Sequence, residues 1–372
     1  MPAAQESTID RAAVDRLRQL VVGPHDKGWP PVAWGRTVAA SGLTFSSFPT
    51  PLVTLSRPAL RANVDALATW TAHHGMALAP HGKTTMAPQL WAAQLDAGAW
   101  GITVANLSLL AVARLFGVRR VLVANAVISP LGLRWIATDL IAHPKASIAT
   151  WADSLTVVDI MTRALARSAA RESGCAVDVF VELGGAGGRT GARSVDDAVA
   201  VARAIAASPH LRLAGVAGYE GALAHTTSPE SLDAVRRYLR ELAQLNGILT
   251  EAGLYAGHEP PAVSAGGSAY PDLVAEVLGP LARDGAATVL LRSGAYIAHD
   301  DGFYREMSPW GATPRADGAP LRPALHGWVR VSGLPSPNWR SSTPASATCP
   351  STRASHRCSC DGRESPKQQP FP

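Results

Sequence analysis

The sequence predicts an α/β chain folded as a (β/α)8 barrel of the TIM type, on three observations. Short apolar runs recur from Thr50 onward, and most are separated by a stretch long enough for a helix. The runs are continuously apolar rather than alternating, as strands of a parallel sheet covered on both faces are. Eight or nine such units occupy about 240 residues, against ~250 for a typical barrel. A doubly wound open sheet is the competing architecture, weakened because no G-x-G-x-x-G follows the first strand.

Residues 1–45 read as an N-terminal extension, amphipathic through Ile9, Ala13, Val14, Leu17, Leu20 and Val21, then a loop through Pro30, Pro31 and Trp34. The barrel is expected over residues 46–310. Leu52 to Leu55 reads as its first strand, and Ser56 caps a helix with Pro58 just inside it. Met76 to Ala79 is the second run, followed by a helix from Ala87 to about Ala97. Further strands are expected at Gly101–Ala105, Arg120–Ala124, Ser147–Thr150, Val177–Glu182, Leu211–Gly215, Ala262–Ser264 and Thr288–Leu291. Asp153–Arg171 and Ser231–Ala252 carry helical spacing.

A chain with 47% hydrophobic and 17% charged residues builds a large core and is not disordered. The uncharged run Ala97 to Ala113 has 17 residues and includes Thr, Asn, Ser and Gly, too short and too polar for a membrane span. Glu6, Asp10 and Asp15 exclude a signal peptide at the start. Of the net charge of +5, residues 331–372 carry +3, so the body is nearly neutral and neither nucleic acid nor a membrane is an expected partner. Cys349, Cys358 and Cys360 lie in that terminal stretch, leaving Cys175 alone in the body, which fits a reducing, cytoplasmic setting.

Active sites of barrels sit at the C-terminal ends of the strands. Polar and glycine residues collect there. Lys83 follows the Met76–Ala79 run directly, beside Pro80, His81 and Gly82 and with no acid close in sequence. Desolvated there, its amine would have a lowered pKa and serve as nucleophile or base; otherwise it is a lysine on a surface loop. Ser264-Ala265-Gly266-Gly267-Ser268 precedes a helix opening at Pro271 and reads either as a phosphate-binding turn or as an ordinary βα turn. Gly184 to Gly191 is a second glycine loop with Arg189 directed inward or ion-paired. Tyr219 and Tyr296 follow apolar runs, where aromatics pack a core or a rim. His225, His258 and His299 are too dispersed for a metal site, and His73-His74 is expected to be solvated at a helix end.

A lysine after an early strand with a glycine turn late in the barrel points to pyridoxal phosphate. The segment PHGKTTMAPQLWAAQLDAGAWGITVA resembles the D-serine dehydratase and D-threonine aldolase branch of the alanine-racemase-like (fold-type III) pyridoxal-phosphate enzymes, most closely the bacterial D-serine deaminase-like proteins. PHGKT, GGRTG, GYEG, SAGGSAYPD and LRSGAYIAHDDGFY agree in order between about Trp34 and Arg330. The resemblance implies pyridoxal 5'-phosphate as cofactor, with Lys83 forming the Schiff base and shuttling the Cα proton and His81 beside it. Arg189 and Tyr219 would contact the cofactor ring or its phenolic oxygen. Gly266, Gly267 and Ser268 would bind the phosphate, and Gly294 and Tyr296 would complete the cup. The implied reaction takes a D-3-hydroxy amino acid either to a keto acid and ammonia, as D-serine to pyruvate, or by Cα–Cβ cleavage to glycine and an aldehyde. The cofactor is the electron sink in both.

The resemblance also implies a C-terminal β-domain, which residues 311–330 begin, and a homodimer whose interface that domain partly builds. It would carry a zinc or manganese site polarising the substrate hydroxyl. Residues 331–372 depart from it: they hold 19 Ser, Thr or Pro and read as a foreign, disordered tail. Reverse-translating Leu334 to Gly362 with GC-rich codons and reading two bases later yields PQPELALLDAGKRDLPFDEGLPPVQLRR, which resembles the opening of such a domain and points to a shifted reading frame. His356-Arg357-Cys358 matches a His-x-Cys pair but lies in this tail, so no metal ligands are assigned. The expectation is therefore a pyridoxal-phosphate lyase, encoded intact or read from a damaged frame, with a barrel that binds the cofactor without turnover as the alternative.

Overall fold

The computed structural model describes residues 8–185, 187–255, 257, 260–336 and 339–342. After β1 (Leu52–Leu55), eight parallel strands form one sheet: β2 (Ala77–Leu78), β3 (Ile102–Val104), β4 (Arg120–Ala126), β5 (Ser147–Ala152), β6 (Val177–Leu183), β7 (Leu211–Gly218), β8 (Ala262–Ala265) and β9 (Thr288–Leu291). Their order is β2-β9-β8-β7-β6-β5-β4-β3. Trp100 N–H donates to the Leu78 carbonyl at 2.7 Å and Thr103 N–H to that of Pro80 at 2.9 Å, joining β3 to β2 and closing the ring. The chain is a (β/α)8 barrel.

Two apolar layers hold it together. Ala79, Leu122, Ala149, Trp151, Phe180, Ala214, Ala217 and Leu290 fill the interior, where the alanines leave room for the Trp151 and Phe180 rings, 5.0 Å apart. The opposite strand faces pack against helices through residues such as Leu110, Ile136, Val201 and Leu242, all buried. Ser56, Asn106, Ser129, Ser154, Ser194 and Ser228 each start a helix by accepting a backbone N–H with the side chain, worth about 1 kcal/mol apiece.

Three sequence expectations change. β1 is not a barrel strand: it pairs antiparallel with β10 (Leu325–Trp328), Leu52 opposite Trp328, and its Val53 and Leu55 side chains are exposed. The ring is complete without it, so Lys83 follows the first barrel strand. Residues 331–372 were expected to lack strands, yet β11 (Val331–Ser336) and β12 (Trp339–Ser342) pair antiparallel with register shifts; backbone pairing needs no apolar alternation. His356, Cys349, Cys358 and Cys360 lie outside the described residues, as does His258. His73 is exposed as expected, but His74 is only partly so: its ring packs 4.4 Å from that of Trp70, its Nε2 is buried, and desolvation lowers its pKa. Among the described residues no helix is long and apolar enough to cross a membrane.

Candidate active site

The C-terminal ends of β2, β6, β7, β8 and β9 bring the polar residues to one mouth. Lys83 lies in a single helical turn, Gly82–Thr84, just beyond β2. It faces the open mouth, yet the groups around it displace enough water to lower the pKa of its amine. The charges of Arg189 and then Arg292 act in the same direction. His81 opens this turn, its Nδ1 accepting from the Lys83 N–H at 3.5 Å. Burial pushes the imidazole down to about 3, helped by the charges of Lys83 and Arg292. A ring with so low a pKa is uncharged near neutrality, and through Nδ1 His81 positions the lysine turn.

Arg292, directly after β9, is buried. It donates to Ser264 Oγ and to the Gly218 carbonyl, both at 2.6 Å, and its guanidinium lies 5.7 Å from the Trp151 ring centroid. The carboxylates of Glu220 and Glu182 face it electrostatically. Glu182, on β6, accepts from Thr190 Oγ1 at 2.8 Å, and burial raises its pKa. The glycine loop after β6 is held by Arg193, which donates to the Gly185 and Gly188 carbonyls, and by Gly191, whose N–H reaches Asp153 at 3.3 Å. Arg189 projects from this loop over the Tyr219 ring, 5.8 Å from its centroid. Burial, and then the neighbouring Glu220, raise the pKa of the Tyr219 phenol.

The turn after β8 differs from expectation. Gly266 has φ +91°, and a Cβ there would meet Leu291 Cδ1 at 2.3 Å, so only glycine fits. The N–H groups of Gly266 and Gly267, expected to receive a phosphate, instead donate to the two carboxylate oxygens of Glu220 at 2.9 and 2.8 Å. Ser268 Oγ accepts from Ala295 N–H at 3.2 Å, and Ser293 Oγ donates to the Gly267 carbonyl at 2.5 Å, tying the β8 and β9 turns together. Gly294 packs against the lysine turn. Tyr296 is not gathered with them: it is buried, and its hydroxyl accepts from Gln94 Nε2 at 2.9 Å, bonded to the helix Pro88–Asp96.

The structure thus collects Lys83, His81, Arg189, Tyr219, Gly266, Gly267, Ser268 and Gly294 at the mouth. It adds Arg292, Glu182, Glu220 and Tyr304, the last close to Ser268. Arg292, Glu220 and Tyr304 stand inside motifs singled out above, but no local signal separated them from structural residues. Among the described residues no group of three or more His, Cys, Asp or Glu could hold a metal ion.

Residues 55–274 match the alanine racemase N-terminal domain. The chain belongs to that family. The chain is 29% identical over 235 residues to the 3-hydroxy-D-aspartate aldolase of Paracoccus denitrificans (strain Pd 1222), a match covering 62% of the chain and 57% of that protein. It is 28% identical over 208 residues to the D-threonine aldolase of Arthrobacter sp, covering 55% and 52%. The chain spans about half the length of the curated relatives it matches. The D-threonine aldolase of Filomicrobium marinum superposes with a TM-score of 0.61 at 23% identity, over 78% of this chain and 72% of that one. D-threo-3-hydroxyaspartate dehydratase from Delftia sp. HT23 superposes with a TM-score of 0.57 at 23% identity, over 76% and 68%. At these identities the structural likeness shows the barrel fold.

Proposed function

We propose that this chain is the cofactor-binding barrel of a pyridoxal-phosphate-dependent lyase acting on D-3-hydroxy amino acids. The observation carrying this reading is Lys83: a lysine with a lowered pKa at a strand end, in a mouth that also presents Arg189 and Arg292. That donor set fits an anionic cofactor bearing a phosphate and a phenolic oxygen. When bound, pyridoxal phosphate supplies the electron sink for bond breaking at Cα.

The chain's own residues divide the remaining work. Lys83 is the amine that would hold the cofactor's aldehyde and then carry the Cα proton. Its lowered pKa keeps a larger neutral, reactive fraction near neutral pH. Arg292 holds a fixed positive charge at the floor, its geometry set by Ser264 and Gly218. Arg189 and Tyr219 flank the ring side, and the turns around Ser268 and Gly294 form the phosphate side.

The finer assignment is D-serine as substrate, giving pyruvate and ammonia. A second reading, cleavage to glycine and an aldehyde, is favoured by the names of the relatives in Paracoccus denitrificans and Arthrobacter sp. Zinc or manganese would belong to a C-terminal β-domain, as would much of a dimer contact.

The test is to titrate the protein with pyridoxal phosphate and trap the adduct by borohydride reduction. The cofactor is expected on Lys83, with loss of the adduct in Lys83→Ala; an adduct unchanged by that substitution rejects the reading. Supplying D-serine, D-threonine or 3-hydroxy-D-aspartate then separates keto acid from aldehyde and glycine as products. Bound cofactor with no product from any of the three would reduce the chain to a binding barrel.

A further inference from the structure

We propose that Glu220 is the positioning residue of the phosphate cup. It holds the Gly266–Gly267 turn from within the protein and leaves the anion to the N–H groups of Ser268 and Gly294. The proposal rests on the cofactor reading above and departs from the expectation that the glycine N–H groups bind phosphate themselves.

Glu220 follows β7 and opens the short turn Glu220–Ala222. It is completely buried, and each carboxylate oxygen takes one glycine N–H, at 2.9 and 2.8 Å. A phosphate oxygen pair would need the same two donors, and two anions cannot share them. The carboxylate is built to stay. Arg292 faces it with opposite charge, and moving it out would strand a buried anion without its hydrogen bonds. Next to Gly267, a Cβ would already meet the Tyr219 ring at 3.1 Å and Glu220 Oε1 at 3.8 Å, so that side of the turn is filled.

Consecutive N–H groups aimed at one acceptor form an anion-binding concavity, and here the protein fills it. The consequence passes to the next residues. Ser293 and Ser268 link the same turn to β9, so Glu220 fixes where Ser268 and Gly294 stand. Among the described residues neither N–H donates to a backbone carbonyl, which leaves both to a phosphate.

Two measurements test this, one needing no cofactor. In the cofactor-free protein the Gly266 and Gly267 amides should exchange slowly with solvent deuterium, and at least about tenfold faster in Glu220→Gln, whose amide group presents one acceptor oxygen where the carboxylate presents two. Fast exchange in the parent, or equal exchange in both proteins, overturns the anchor. Adding pyridoxal phosphate to the parent should move the Ser268 and Gly294 amide resonances and leave the two glycine amides slow; faster glycine exchange would mean that phosphate displaces Glu220, against the proposal. In parallel, Glu220→Gln should weaken pyridoxal phosphate binding about tenfold while changing pyridoxal, which lacks the phosphate, less than about twofold. Unchanged or tighter pyridoxal phosphate binding would show the carboxylate competing with the anion, and an equal loss for both ligands would show a general defect; each rejects the proposal. Parent protein that binds neither ligand defeats the cofactor reading, while amide exchange still decides the role of Glu220.

Discussion

Gly294 and His81 meet so closely at the barrel mouth that a Cβ on the glycine would lie 2.6 Å from the His81 carbonyl oxygen and 2.6 Å from Thr84 Oγ1. The carbonyl is backbone and cannot swing aside, so Gly294→Ala must part the β9 turn from the turn that carries Lys83. Overpacking of this kind costs about 1–3 kcal/mol. Urea unfolding should show a lower midpoint for the variant with an unchanged slope. Full stability would mean that the two turns separate freely and that the lysine is not held from this side.

The lowered pKa of Lys83 comes first from desolvation, then from Arg189 and Arg292. Removing Arg189, the larger charge contribution, should raise it toward the ordinary lysine value, because one positive neighbour no longer opposes protonation. The neutral fraction below the pKa falls about tenfold for each unit of that rise. The pH profile for adduct formation with an aldehyde that carries no phosphate should therefore shift to higher pH in Arg189→Met. A profile that stays in place would leave the shift to burial and Arg292, without Arg189.

How much of this was legible in the sequence depends on distance along the chain. The apolar runs from Ala77 to Leu291 announced all eight barrel strands, because burial on both faces leaves a local signature. Leu52–Leu55 carries the same signature for a different reason, and only its partner β10, more than 250 residues later, shows that it lies outside the ring. Lys83 was legible because a lysine directly after an apolar strand is locally unusual. Glu220 was not, since its role depends on two N–H groups 46 and 47 positions away. Tyr296 misled for the converse reason: the hydroxyl that looked available is committed to Gln94, 202 positions earlier.

His81 makes stability depend on acid. Its folded pKa is lowered to about 3, chiefly by burial, from an ordinary value of 6.5. The unfolded chain therefore takes up a proton as pH falls through 6.5, while the folded chain does not until near 3. The stabilisation held by the neutral ring is complete above pH 6.5 and is lost as pH falls toward 3, at no more than ~1.4 kcal/mol per pH unit. Unfolding free energies at pH 7, 6 and 5 should fall more steeply for the parent than for His81→Asn. Parallel lines would mean that the ring titrates alike in the folded and unfolded chain.

Tyr238 joins two strand ends that the site depends on. From the helix Pro229–Glu251 its hydroxyl donates to the Leu183 carbonyl at 2.6 Å and accepts the Tyr219 N–H at 3.0 Å, clamping β6 to β7 directly beside Tyr219 and Glu220. Burial raises its pKa, so the hydroxyl keeps its proton throughout the working range and the clamp does not depend on pH. Gly218 is part of the same fit, since a Cβ there would stand 2.1 Å from the Tyr238 oxygen. Tyr238→Phe removes one oxygen and leaves a carbonyl and an N–H without partners, a cost of about 1–3 kcal/mol. The loss should not stop at stability. Releasing Tyr219 also frees Glu220, the next residue, so pyridoxal phosphate affinity should drop along with the unfolding midpoint. A variant that loses stability but keeps full cofactor affinity would show that the clamp serves the barrel alone.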